Sequence, residues 1–411
     1  MPSLSEKLKA LGVNIGADEL RTSTRPLKYP IETVIDGREV DTPLGQTFVV
    51  EKTYPFDPRQ EDIPLKFTAS LPTISAWIQN PDIASYEPKS FIFLDTETSG
   101  LAGGTGTYAF LIGIGKFISD GFHLSQYFMR DPIEEPAQLA SVLGVLEECK
   151  VLVTYNGKSF DVPLLNSRYI SNGEPAPLNS YAHIDLLHLA RRLWRDRLAS
   201  RTLGSIEENI LNALRTEEDI PGWMVPSIYF DYLKSGDARP LSNVFYHNAM
   251  DILSLATLLN HISTILDDPH GGIVEHGVDL IAMGRIFEDM REFDSAAQCF
   301  AHGLEFNIPE NIRGKAIQRW SFMEKRRNNI EISIQLWENA AEYEEIYAHV
   351  ELAKVFEHRM RDYVQAIDWT EQALTIIQSP HFPELDRRIW ESELEHRLTR
   401  LVRKFEQSKK T

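Results

Sequence analysis

Apolar positions along the chain follow two periods, and the change from one to the other marks out its elements. Phe91-Ile-Phe-Leu94 is an unbroken apolar run of the kind found in strands covered on both faces. It leads directly into Asp95-Thr-Glu97-Thr-Ser-Gly100. Tyr108–Phe117 and Gly121–Phe128 read as two further strands, so three successive strands form an antiparallel meander, with Gly103–Thr107 as a flexible turn. A helix is predicted over about 134–148, with Leu139, Val142, Leu143 and Leu146 on one face, followed by a short buried strand at Val151–Tyr155. Asn156-Gly157 ends that strand, and a helix begins near Asp161 with Pro163 in its first turn, where a missing N–H costs little. His183–His188 is a strand-to-helix junction entering an arginine-rich helix. From Asn248 to about Leu266, Ile252, Leu255, Ala256, Leu259 and Ile262 recur at helical spacing.

The flanks have a different pattern. Residues 4–12 fit one short amphipathic helix, after which prolines interrupt every regular element, and Thr47–Tyr54 has the β-branched and aromatic content of a strand. This suggests an N-terminal arm over 1–87, an α/β domain over 88–266 and a linker at 267–272, rich in residues that stop helices. Beyond it, Phe293, Ala296, Ala297 and Phe300 align with Ile330, Ser333, Ile334 and Trp337, and again with Tyr363, Ala366, Ile367 and Thr370. That spacing predicts an all-α array of helical hairpins over 273–405, resembling tetratricopeptide-type repeats, with a frayed tail at 406–411.

Charge and cysteine usage narrow the function classes. A net charge of −18 argues against coating nucleic acid through a global positive field, so any such contact needs a local basic patch. Cys149 and Cys299 lie far apart without metal-ligand spacing, and neither a signal segment nor an uninterrupted apolar run of membrane length is evident. The expectation is a cytoplasmic protein with no membrane partner.

Asp95 and Glu97, two apart on a strand, project to one side, while Thr96 points away. Two carboxylates at a rigid strand end suit a hard divalent cation. Asp161 and Asp251 also stand at the edges of apolar elements, although an aspartate in the place of Asp161 equally suits capping a helix. The order of these acids resembles the DEDD, or DnaQ-like, exonucleases of the ribonuclease H-like superfamily. The matching motifs are Phe91–Gly100, Tyr155-Asn156-Gly-Lys158-Ser-Phe-Asp161 and Tyr246-His247-Asn-Ala-Met-Asp251. Gly104–Tyr108, His183–Leu186 and the appended repeats look most like the YprB-type predicted exonucleases. The resemblance covers roughly 88–265. It implies a mixed sheet flanked by helices, with Asp95, Glu97, Asp161 and Asp251 holding two Mg²⁺ or Mn²⁺ ions about 4 Å apart for phosphodiester hydrolysis.

The third motif departs from the group. Members usually place a tyrosine four residues before the last aspartate or a histidine five before it; here His247 and Tyr246 are exchanged. His247 is favoured as general base because imidazole titrates near neutral pH. Asp185 stands outside the four ligands, as a supporting acid or a strand end.

The resemblance implies a single-stranded DNA or RNA substrate and 3′–5′ exonuclease action, with the repeats recruiting a protein partner. For the substrate, Asn156, Lys158, Arg191, Arg192 and Arg195 are candidate contacts; Arg197 and Arg201 continue the arginine cluster, and Trp194 is available to stack on a base. The cluster reads equally as a solvated helix face paired with Glu207 and Glu208. The competing function is a catalytically silent scaffold that binds nucleic acid or protein.

Overall fold

The computed structural model describes residues 29–56, 71–100 and 106–409. The expected helix at 4–12, the glycine turn at 103–105 and the last two residues lie outside that range. Two compact units are present, the first formed by 1–66, 87–183 and 214–255, the second by 67–86, 184–213 and 256–411.

Seven strands make one mixed sheet: β1 (Arg38–Thr42), β2 (Gly45–Pro55), β3 (Phe91–Thr98), β4 (Ala109–Ile118), β5 (Gly121–Phe128), β6 (Val151–Thr154) and β7 (Ala182–Asp185). Their order is β1-β2-β5-β4-β3-β6-β7. The meander β3-β4-β5 is antiparallel, and β6 adds parallel to β3. β2 runs antiparallel to β5 from Phe48↔Phe128 to Pro55↔Gly121, so the proline-rich leader contributes two full strands to the sheet.

The longer helices are numbered along the chain. In the first unit α1 (Glu135–Leu146) and α2 (Asp161–Ser171) cover one face of the sheet, burying Ile92, Leu94, Ile112 and Ile114 with Leu139, Val142 and Leu165. After α3 (Leu186–Leu193), α4 (Val225–Ser235) and the start of α5 (Leu241–Asp267) close the other face, where Phe48, Phe110 and Phe128 meet Tyr229, Val244 and Phe245. α5 starts seven residues before the position predicted. Pro240 precedes it, and Leu241 and Val244 are fully buried, so packing carries the helix back past the polar residues Tyr246 to Asn248. α5 is long and apolar enough to cross a membrane, but 67% of its most apolar window is buried inside the protein, as in a core helix.

α3 corrects the arginine-rich helix. It ends at Leu193, so only Arg191 and Arg192 lie on it. Trp194 is 1% exposed and packs against His261, which removes it as a surface for stacking bases.

The second unit continues as α6 (Gly277–Asp289), α7 (Phe293–Glu305), α8 (Glu310–Arg326), α9 (Ile330–Ala341), α10 (Ile346–Val355), α11 (Tyr363–Ile377) and α12 (Glu384–Ser408). Consecutive helices pack in pairs. Phe293, Ile330 and Tyr363, aligned by the sequence spacing, are the first residues of α7, α9 and α11.

Candidate metal and catalytic site

The site is built where α5 crosses the sheet. On β3, Asp95 and Glu97 share a face with Phe91 and Phe93, and the register shifts between Glu97 and Thr98. Such an irregularity re-aims side chains at a strand end. On β4, Gly113 pairs with Asp95 on one side and with Gln126 of β5 on the other. A Cβ at Gly113 would overlap the Asn248 amide, and one at Gly115 would overlap Ile252. Two glycines on one strand face therefore admit two successive turns of α5.

Asn248, wholly buried, lies over Gly113. Its Nδ2 donates to Asp95 Oδ2 at 2.9 Å, and its Oδ1 accepts from Gln126 Nε2 at 3.0 Å. Gln126 Nε2 also donates to the Phe245 carbonyl at 2.8 Å. Glutamine, asparagine and aspartate thus form one hydrogen-bonded row across the sheet, ending on a candidate ligand.

His247, Asp251 and Glu97 present ligand atoms all within 4.8 Å of one another. His247 Nε2 lies 3.7 Å from Asp251 Oδ2, while His247 Nδ1 lies 2.7 Å from Asp219 Oδ1. With Nδ1–H donating to Asp219, Nε2 is left to face the acids. Tyr246 points elsewhere, its hydroxyl accepting the Thr216 N–H at 3.1 Å. Arg215 donates to Asp251 Oδ1, and its Nη1 lies 3.3 Å from Asp219. Asp161 is the first residue of α2 and accepts from the Thr96 hydroxyl, so the side chain expected to point away from the acids supports one of them from the opposite face of β3.

Crowding shows in the electrostatics. Burial, then Asp251, Glu97 and Asp161, raise Asp95 well above the ordinary carboxylate range, against the Asn248 hydrogen bond. Burial also raises Glu97, to about 8, with Asp251 and Asp161 adding to it while His247 and Arg215 oppose. At His247 burial disfavours the cation, but Asp251, Glu97 and Asp219 outweigh it and the imidazole is raised. A set of oxygen donors whose charges repel one another, with an imidazole beside them, fits a divalent cation, which would relieve that repulsion.

Asn156 takes a left-handed φ of 66° after β6, and Asn156 and Lys158 are both exposed. Arg191, Arg192 and Arg195 belong to the second unit, where Arg192 pairs with Asp289 and Arg195 lies 3.6 Å from Asp196. Arg197 is held by Asp279 at 2.7 Å. Asp185 ends β7 and caps α3 by accepting the Leu187 N–H. Sequence reasoning missed Gln126, Asn248, Arg215 and Asp219. The pair Gly113 and Gly115 within an apolar strand is a signal for Asn248; Arg215 and Asp219 lie in a stretch whose sequence reads as helices broken by Pro221-Gly222, whereas the structure places both in a loop.

Residues 92–263 match the family model RNase_H_2 of the RNase_H superfamily. The chain is 32% identical over 375 residues to the "Uncharacterized protein YprB" of Bacillus subtilis (strain 168), covering 90% of this chain and 86% of that protein. A family B DNA polymerase from the archaeon Pyrobaculum calidifontis aligns with a TM-score of 0.33 and 17% identity, covering 50% of this chain and 30% of the polymerase, too loose a likeness to bear on function.

Proposed function

Because the chain belongs to the family of Bacillus subtilis YprB and carries a ribonuclease H-like domain, we propose that it is a metal-dependent nuclease, a 3′–5′ exonuclease of the DEDD group acting on single-stranded DNA or RNA. The observation that carries this reading is the convergence of Glu97, His247 and Asp251 within 4.8 Å, with the Asp161 charge raising both Asp95 and Glu97.

Asp95, Glu97, Asp161 and Asp251 would hold Mg²⁺ or Mn²⁺, which supplies Lewis-acid stabilisation of the charge developing on the phosphate. The chain's own residues do the rest. Asn248 fixes one oxygen of Asp95, leaving the other for a ligand. Asp219 holds the His247 ring by Nδ1–H, and Nε2 takes the proton of the attacking water. Asn156 and Lys158, exposed after β6, contact the strand being cut. The helical unit, read as tetratricopeptide-like, recruits a protein partner.

The test incubates labelled DNA and RNA oligonucleotides with Mn²⁺ and compares wild type with Asp95→Ala and Asp251→Ala. Shortening by wild type alone supports the reading, and equal degradation by all three rejects it. The second reading, a silent scaffold, draws on Arg215, whose guanidinium already neutralises Asp251. Absence of cleavage on every substrate favours it.

A further inference from the structure

In a chain of net charge −18, the second unit gathers cations around one cavity. α10 runs on into a single π-turn, Phe356–Met360, and such turns re-aim the side chains they carry and recur at functional positions. Here His358 and Arg359 of the turn reach a cavity of about 390 Å³, joined by Lys325, Lys354, Arg397 and Arg400. Glu351 is the acid in its lining, bound by both lysines, and Glu357 beside it is bound by Arg400 at 2.7 Å and Lys404 at 2.8 Å. The lysines and arginines outnumber these acids, so the lining keeps a surplus of positive charge. The ion pairs also hold the cationic side chains in place.

Arg397 is the informative member. It is 6% exposed, yet among the described residues its Nε and Nη1 have no hydrogen-bond acceptor; Glu357 lies 3.5 Å from Nη1, and Nη2 alone donates, in a long bond of 3.4 Å to Glu393. A buried guanidinium with unmet donors is costly to fold around. Placed in the lining of a cation-rich cavity, it is provided for by an anion with several acceptor oxygens. Arginine forks match phosphate in this way, and lysines add point charge. The volume exceeds the need of a lone oxyanion and falls in the range of small-molecule sites, and Ile330 and Val355 supply an apolar wall for a sugar or base.

We propose that this cavity is a second, non-catalytic binding site for a phosphate group, carried by a nucleotide or by a nucleic-acid strand. The choice of a nucleic-acid phosphate rests on the nuclease reading; the affinity for phosphate does not.

The test uses the full chain in EDTA, so that no divalent ion contributes from the carboxylate site. Inorganic phosphate and a 5′-mononucleotide are titrated by calorimetry, and a fluorescent single-stranded oligonucleotide by anisotropy, over a range of salt. Wild type is compared with Lys354→Ala/Arg359→Ala, at one half-buried and one exposed position of the lining, and with Arg397→Lys, each checked for an unchanged melting temperature. Binding that weakens with salt, and by about tenfold or more in the double variant, is the expected result. Nucleotide and oligonucleotide binding together identify a terminal or free phosphate as the ligand, while oligonucleotide binding alone identifies strand backbone. No binding of any of the three probes, or the same affinity in the double variant, overturns the proposal. An inactive protein that still binds through this cavity would sink the nuclease reading and leave this one standing.

Discussion

Asn248 Nδ2 lies 2.9 Å from Asp95 Oδ2, so the orientation of the first candidate ligand on β3 is set by a residue of α5. The asparagine is in turn held by Gln126, and Gly113 beneath it leaves room for the amide. Gly113→Ala should therefore displace Asn248 and lower nuclease activity by roughly 10- to 100-fold, as the loss of a supporting hydrogen bond does in metal sites. Asn248→Leu, which strands the buried Gln126 and Asp95 polar groups, should in addition destabilise the first unit by about 1–3 kcal/mol. Activity assays paired with urea unfolding separate the two effects. Unchanged activity in folded Gly113→Ala protein would refute the coupling.

Divalent ions and protons should compete for the same carboxylates. Glu97 is raised to about 8, so below that pH a proton must leave before an ion can enter. Mn²⁺ is expected to raise the melting temperature, and by more at pH 8.5 than at pH 6. The shift should vanish in Glu97→Gln/Asp251→Asn protein. Calorimetry showing a pH-independent shift, or one retained in the double variant, would contradict this.

Arg215 competes with any cation for Asp251. Arg215→Ala should tighten Mn²⁺ binding while lowering the stability of the metal-free protein, because it leaves Asp251 without its guanidinium partner. Isothermal titration in parallel with thermal melts reads both. Weaker binding would instead mean that Arg215 organises the ligand set.

Glu357 gives the second unit a defined acid sensitivity. Burial would raise its carboxyl, but Arg400 and Lys404 outweigh burial and hold it at about 2, below the ordinary glutamate value of 4.5. A depressed acid stabilises the fold above its unfolded pKa, and that contribution is lost as pH falls from about 4.5 towards 2. Wild type should lose stability across that window, whereas Glu357→Gln, already weaker at neutral pH, should show a shallower decline. Circular dichroism melts at stepped pH check the slope.

Local patterns made much of the fold legible. The unbroken apolar run of β3, the meander that follows and the 3.6-residue spacing of α1 and α5 each express burial on a known face. The recurrence of Phe293, Ile330 and Tyr363 likewise marks helix starts in successive pairs. What depends on distant pairing was hidden. Thr47–Tyr54 has strand composition, but nothing in it names β5 as its neighbour. Trp194 stands among arginines in sequence yet is buried against His261 just past the end of α3, because tertiary packing, not adjacency, decides exposure. At the site, Asp95 and Glu97 stand out because carboxylates end an apolar strand. Arg215 and Asp219 belong to a loop whose side chains acquire meaning only beside His247 and Asp251.

The division between the two units falls between Leu255 and Ala256, inside α5, and the second unit also claims 67–86 and 184–213 from within the span of the first. Neither unit is a cassette. A gene fission or an expression boundary placed in the loop after Asp267 would leave three second-unit segments, 67–86, 184–213 and 256–267, attached to the first half without the rest of their unit. A boundary that keeps either unit whole must therefore be sought elsewhere than between the two halves of the chain.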